Sequence, residues 1–424
     1  MPVGGRTKAL GVGAVAALLI TGVGLTGCTP SVAEGDHPPV SPAGTSSPSP
    51  SPTAGSSPTS DPSTAAPATL RVNVAKGADG VKVDKVIQVT AVNGTLSKIR
   101  VSGRYLDHGV EKKATLAGSL NDSKTHWKAS DLLEPGGSYT LKATAVGSDG
   151  HTTTTSRKFT AEDLGLDQQI YPAFVSLGTK VGVGTPVVLT FDRPVTDKAE
   201  FEKHLHVTST PSQPGSWHWY SDTEVHWRPK TYWKPGTKVT ATADLNSVPA
   251  GNGEYGQQDA STSFTVGKSV ITKVNLKTDV AKVYVDGKLA RKILVSGGKP
   301  GDETSSGTTV ITQKLTDYTM TSEMIGLPKT GPESYSLVAA YAMRITTSGQ
   351  FLHSAPWNSG YFGNTNASHG CVGMSVADSG WLFEQALPGS PVTVTGTSRP
   401  LEDQNGLTDW NVDYSSYAAG SALR

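Results

Sequence analysis

Apolar and polar residues alternate in short runs along most of the chain, the period-two signature of strands with one buried face. Between residues 70 and 161 such runs include Leu70-Arg71-Val72-Asn73-Val74, Val86-Ile87-Gln88-Val89 and Tyr139-Thr140-Leu141-Lys142-Ala143, separated by Gly, Asp and Asn turns. That spacing predicts a β-sandwich. A second set over 162–267 repeats the theme, with Pro186-Val187-Val188-Leu189-Thr190-Phe191 and an aromatic cluster at Trp217-His218-Trp219, Val225-His226-Trp227 and Trp233. A third region, 268–397, opens with Val280–Val285 and Leu289–Val295 alternating about Asp286-Gly287, a two-residue hairpin signal. Strand texture continues through Val310-Ile311-Thr312 and Ala339–Thr346. Ser375 is placed to cap a helix running to about Leu387, and Pro391–Thr395 reads as a closing strand. The last stretch, 398–424, sets Trp410, Tyr414 and Tyr417 among polar residues and is expected to dock them on a neighbouring domain. The fold class is therefore mainly β: two sandwiches, then a mostly β domain with one or two short helices.

The N-terminus differs. Arg6 and Lys8 precede an uncharged, Gly-rich apolar run from Ala9 to Leu25, too short for a confident membrane span and shaped like an export signal. The run ends in Leu25-Thr26-Gly27-Cys28, which resembles a bacterial lipobox. Cleavage after residue 27 would leave Cys28 as a lipidated first residue, anchored on the outer face of the membrane. An ordinary secretory signal ending by chance near a cysteine is the alternative. Residues 28–69 are almost entirely Ser, Pro, Thr, Ala and Gly, a composition with too little apolar surface to offset the entropy of folding. They are expected to form a disordered tether that carries the folded part away from the lipid.

Charge narrows the partners. The net charge is only +1, which provides no electrostatic footprint for nucleic acid or an anionic membrane surface. His204 and His206 stand two apart, and His218 and His226 flank a turn at Ser221-Asp222. No carboxylate or cysteine completes a four-ligand set at the usual spacings, so no metal and no cofactor are expected, and the histidines read as half-buried filler beside the tryptophans. A monomer is expected.

Cysteine usage changes the picture most. There are two cysteines in the chain; with Cys28 assigned to lipid, Cys371 stands as a single thiol in an exported protein, where an unpaired cysteine risks oxidation. It lies in Asn366-Ala367-Ser368-His369-Gly370-Cys371-Val372, downstream of Gly349-Gln350-Phe351-Leu352-His353-Ser354-Ala355-Pro356-Trp357. A positioned imidazole can take the thiol proton and leave a thiolate–imidazolium pair. His353, eighteen positions before the cysteine, has room for a strand to feed a loop and return, and is favoured as the base. His369 is favoured as a loop former lining the site, and Gly370 lets the Gly370 and Cys371 N–H groups turn toward a developing oxyanion. Cys371 as a buried structural cysteine, with hydrogen-bonded core histidines, is the bland alternative.

Ser368-His369-Gly370-Cys371 with His353-Ser354 upstream resembles the signature of the YkuD-type L,D-transpeptidases, and the whole chain is similar to their actinobacterial members, which place two immunoglobulin-like domains before the catalytic domain. The second sandwich supports this through Gly215-Ser216-Trp217-His218-Trp219 and Glu224-Val225-His226-Trp227-Arg228-Pro229. The resemblance implies Cys371 as nucleophile, His353 as proton acceptor and donor, and the Ser354 carbonyl as the group that fixes the ring tautomer. It makes Tyr335 and Met320 parts of a substrate flap, Ser348 and Gly349 a strand edge that receives the peptide, and Trp357 and Ser368 the border of the site. At Gly373 mycobacterial relatives carry Asn, so any side-chain contact to substrate there is lost. The implied activity is 3→3 cross-linking of peptidoglycan stem peptides through a thioester with release of D-Ala, in a cell-wall enzyme open to acylation by carbapenems. An L,D-carboxypeptidase and a noncatalytic wall-binding lipoprotein are the competing readings. The sandwiches are expected to act as spacers.

Overall fold

A computed structural model describes residues 65–424 apart from residues 108 and 333. The export signal, Cys28 and most of the tether lie outside the described residues. The described chain forms one compact unit, and none of its helices is long and apolar enough to cross a membrane.

The first sandwich packs a four-stranded sheet against a five-stranded one. Alternation does the work: in Ser138–Gly147 every second residue is buried, so that Tyr139, Leu141, Ala143 and Ala145 line one core. The sandwich begins earlier than the composition suggests, because the strand Thr69–Val72 pairs antiparallel with Gln88–Val92 and Ala68 is already buried. The second sandwich, with two four-stranded sheets and a small three-stranded one, closes over Phe201, Trp217, Trp227 and Trp233.

The C-terminal domain has two sheets. One, five-stranded, contains the predicted hairpin Val280–Val285 and Lys288–Leu294, turning at Asp286-Gly287. The other has four strands in the order Gln313–Thr321, Ser336–Arg344, Phe351–Ser354, Val372–Met374. Its last pair is parallel. Leu352, Val372 and Met374 bury one face of this sheet against Ile293, Val392 and Leu382. Leu382 belongs to the helix Val376–Gln385, capped by Ser375, whose hydroxyl accepts from the Asp378 N–H at 3.0 Å. The opposite face carries the site.

Backbone meets backbone where the second sandwich joins this domain: the Gly182 N–H donates to the Pro388 carbonyl at 2.7 Å and the Gly184 N–H to the Gly389 carbonyl at 2.9 Å. A Cβ on Gly389, whose φ is +87°, would fall 1.7 Å from Thr185 Oγ1. Gly389→Ala should therefore destabilise the fold by about 1–3 kcal/mol through overpacking, read as a lower melting temperature; an unchanged melt would show that this approach is slack.

The tail crosses back over the second sandwich and ends in a short helix, Tyr414–Ala418, that the polar sequence did not announce. Trp410 Nε1 donates to the Gly184 carbonyl at 2.7 Å, and the Arg228 guanidinium lies over Trp410 at 4.5 Å and Tyr417 at 4.4 Å. The histidines considered as ligands take separate partners. His204 faces Glu200 and His206 faces Asp244, while His218 Nδ1 donates to the Tyr417 carbonyl at 2.7 Å. His226 is not filler. It is buried between Asp409 at 2.9 Å and Glu224 at 2.8 Å, an ion cluster that ties tail to sandwich.

Candidate active site

Register brings the two reactive groups together. Leu352 pairs with Val372 and His353 with Gly373, and residues two apart on a strand share a face. Phe351, His353 and the position of Cys371 just ahead of its strand thus fall on one face of neighbouring parallel strands. Phe351 and Cys371 pack with Met320 and Tyr335 in a cluster separate from that of Leu352 and Val372. The eighteen-residue excursion between histidine and cysteine is the connection that parallel neighbours require.

A cleft of about 190 Å³ opens on this face, lined by Met320, Tyr335, His353, Trp357, Ser368, His369 and Cys371. Met320 is the next-to-last residue of the strand Gln313–Thr321 and Tyr335 immediately precedes Ser336–Arg344, so both stand at the base of the flap that joins this strand pair. Tyr335 stacks on His369 with ring centroids 5.5 Å apart, and burial pushes its hydroxyl up to about 12. The Trp357 indole stacks at 6.0 Å on the His353 ring.

His353 is oriented by its own backbone. Nδ1 lies 2.8 Å from the Ser354 carbonyl, which only accepts, so Nδ1 carries the hydrogen and Nε2 the lone pair. The other histidine is used differently. The Lys299 ammonium, a donor only, lies 3.1 Å from His369 Nε2, so that lone pair is occupied. His369 lines the cleft, and His353 has the free basic nitrogen.

Burial decides the resting protonation. It lowers the His353 imidazole to about 4 against the smaller opposing effect of the Ser354 carbonyl. It raises the Cys371 thiol to about 11, outweighing the Phe351 backbone and the Arg344 cation. The resting pair is thus neutral thiol and neutral imidazole, not the ion pair expected from the two residue types, because a dry face disfavours both charges. The thiol donates to the Gly349 carbonyl at 3.7 Å.

Two further expectations change. Gly370 has the positive φ, +114°, that its motif position calls for, yet its N–H donates to Ser368 Oγ at 3.1 Å and is not turned toward an oxyanion. Ser368 Oγ in turn donates to the Cys371 carbonyl at 2.6 Å, so this serine ties the turn as well as bordering the cleft. Ser348 and Gly349 lie in the turn between Ser336–Arg344 and Phe351–Ser354, not on a strand edge. At Gly373 an added Cβ would meet the Ala355 Cβ at 3.0 Å, so the missing side chain leaves little unfilled space.

The cysteine loop is held through partners that lie outside its motif. Asn366 accepts from the Gly297 N–H at 2.6 Å and donates to the Leu276 carbonyl at 2.9 Å, and the Ser368 N–H donates to the Gly297 carbonyl at 2.9 Å. Ile325, Leu337, Asn358 and Ala367 complete the lining. Gly297 and Lys299 stand about seventy positions from the loop, beyond the reach of any local spacing rule.

This geometry, a thiol and an oriented imidazole under a flap, defines a cysteine site suited to acyl chemistry on a mostly β domain. The bacterial Ig domain family matches residues 78–249, across both sandwiches, and the L,D-transpeptidase catalytic domain family matches residues 269–394. L,D-transpeptidase 2 of Mycobacterium tuberculosis is 33% identical over 361 residues, covering 83% of this chain and 85% of the relative. L,D-transpeptidase 5 of the same species is 32% identical over 73% of this chain and 68% of the relative. A solved L,D-transpeptidase from Mycobacterium smegmatis is 32% identical over 54% of this chain and 99% of that structure, with a TM-score of 0.44. The structure of LdtMt1 in complex with imipenem covers 53% of this chain and 99% of that one, at 32% identity and a TM-score of 0.46. The chain belongs to the L,D-transpeptidase family.

Proposed function

We propose that Cys371 performs a two-step acyl transfer between peptidoglycan stem peptides on the outer side of the membrane, where Cys28 would carry the lipid anchor. The observation that supports this best is the placing of Cys371 and His353 on one sheet face, with His353 Nε2 unprotonated, inside the cleft beneath Tyr335 and Met320. Cys371 Sγ attacks the carbonyl carbon of the third stem residue while His353 Nε2 takes the thiol hydrogen. That proton passes to the nitrogen of the departing D-Ala as the peptide C–N bond breaks, leaving a thioester. The side-chain amine of a diamino acid on a second stem then attacks the thioester and gives its proton to Nε2. The C–S bond breaks, the thiolate regains the proton, and a 3→3 link remains.

Incubating the purified chain with disaccharide tetrapeptide and separating the products tests this. Dimers that have lost one D-Ala per link support transfer. Tripeptides alone would mean hydrolysis, and unaltered tetrapeptide would point to a wall-binding protein.

The resting protonation makes a second prediction. Because the base is lowered to about 4, acylation by imipenem should fall on acidification with a midpoint near that value, well below the ordinary histidine range. Stopped-flow pH jumps measure this, and a midpoint near 6.5 would show a solvated ring.

A further inference from the structure

The carbonyl that receives the Cys371 thiol belongs to a turn that is fixed from outside its own sheet. Asn405, on the tail and 6% exposed, accepts at Oδ1 from the Ser348 N–H at 2.9 Å and the Thr347 hydroxyl at 3.0 Å. Within the turn, the Gln350 N–H donates to Thr346 Oγ1 at 2.8 Å. The tail is pinned on either side of Asn405. The Gln404 N–H donates to Thr408 Oγ1 at 3.1 Å, Thr309 Oγ1 donates to the Leu407 carbonyl at 3.2 Å, and Asp409 meets His226. Asn405 lies beyond residue 394, where the match to the catalytic family ends.

We propose that Asn405 is a positioning residue for the nucleophile: by holding the turn 346–349 it sets the Gly349 carbonyl, which keeps the Cys371 sulfur in the orientation from which it attacks. A cysteine side chain has three staggered orientations, and one weak sulfur hydrogen bond suffices to favour one of them severalfold. The carbonyl also stabilises the S–H form, so its loss has two opposite consequences. The thiol aims less well, and it ionises more readily. This rests on Cys371 being the acyl-accepting group.

The test compares the full chain with Asn405→Leu, which keeps the branched outline and removes the acceptor, and Asn405→Asp, which keeps the acceptor atom. Imipenem acylation, followed by loss of the β-lactam absorbance, should be about 5- to 10-fold slower in Asn405→Leu and restored to within about threefold in Asn405→Asp. Alkylation of Cys371 by iodoacetamide, which makes little demand on aim, should move to lower pH in Asn405→Leu and become faster at neutral pH. Slower acylation with faster alkylation supports the inference, since mere loosening of the fold does not set the two against each other. Unchanged rates in Asn405→Leu, equal impairment in Asn405→Asp, or both reactions slowing together with a lowered melt would overturn it. Failure of the unmodified chain to be acylated would instead overturn the assignment of Cys371 on which it rests.

Discussion

Cys371→Ala should abolish both D-Ala release and β-lactam adduct formation, a loss of at least about 10³-fold, because it removes the thiol that carries the acyl chain. Cys371 is the free cysteine of the described residues. The hydroxyl of Cys371→Ser would be harder still to ionise beside a base lowered to about 4, and that variant should be inactive as well. His353→Ala should retain the thiol yet slow acylation by about 10²–10⁴-fold, the usual range for a lost general base. Stability separates these effects from misfolding. Cys371 sits at the edge of the small cluster formed by Met320, Ala339, Ala342 and Phe351, so Cys371→Ala should melt close to the parent. A variant that melts early and is inactive would leave the thiol's role unproved; one that folds and still forms dimers would exclude it.

The second large effect is expected far from the chemistry. Asp409 is completely buried and shares His226 with Glu224, while the Tyr417 hydroxyl donates to the same Asp409 oxygen at 3.1 Å. Burial alone would keep the His226 ring neutral, but the Asp409 and Glu224 carboxylates overcome it and raise the ring to about 9. Burial likewise opposes the charge on Asp409, and His226 holds that carboxyl below its ordinary range. Asp409→Asn leaves a buried imidazole with half its counter-charge, and breaking a buried pair in this way costs about 3–5 kcal/mol. The melting temperature should fall by several degrees and the tail should become open to proteolysis. The pH dependence gives the sign. The folded chain holds the His226 proton that the unfolded chain releases above about 6.5. The stabilisation is therefore complete below that pH and is lost as pH rises through about 9. Asp409→Asn should flatten this alkaline loss; a variant as stable as the parent, with the same pH dependence, would mean that the tail is held by its aromatics alone.

Most of the architecture was legible because it rests on period-two alternation and on turn residues, which are local. Asp286-Gly287 marked its hairpin, Ser375 its helix cap, and the Ser-His-Gly-Cys run its loop, each through a few adjacent residues. The choice of His353 over His369 could be favoured from spacing, but its physical reason is the Lys299 ammonium on His369 Nε2, seventy positions away. The thiol's neutral resting state was not legible either. Residue types suggest an ion pair, whereas the dryness of the face is set by Met320, Tyr335 and Phe351, brought in from three segments. His226 was misread for the same reason: its partner Asp409 lies 183 positions downstream. Asn405 carried no signal at all, since a single asparagine in a polar tail acquires meaning only when the turn it supports is known.

The most direct measurement of the central claim is intact-protein mass spectrometry after acid quenching a brief reaction with a stem tetrapeptide lacking any acceptor amine. The mechanism predicts one added mass equal to the stem minus D-Ala, mapped by digestion to Cys371 and absent from Cys371→Ala. Turnover with no adduct under these conditions, or an adduct that survives in Cys371→Ala, would contradict it.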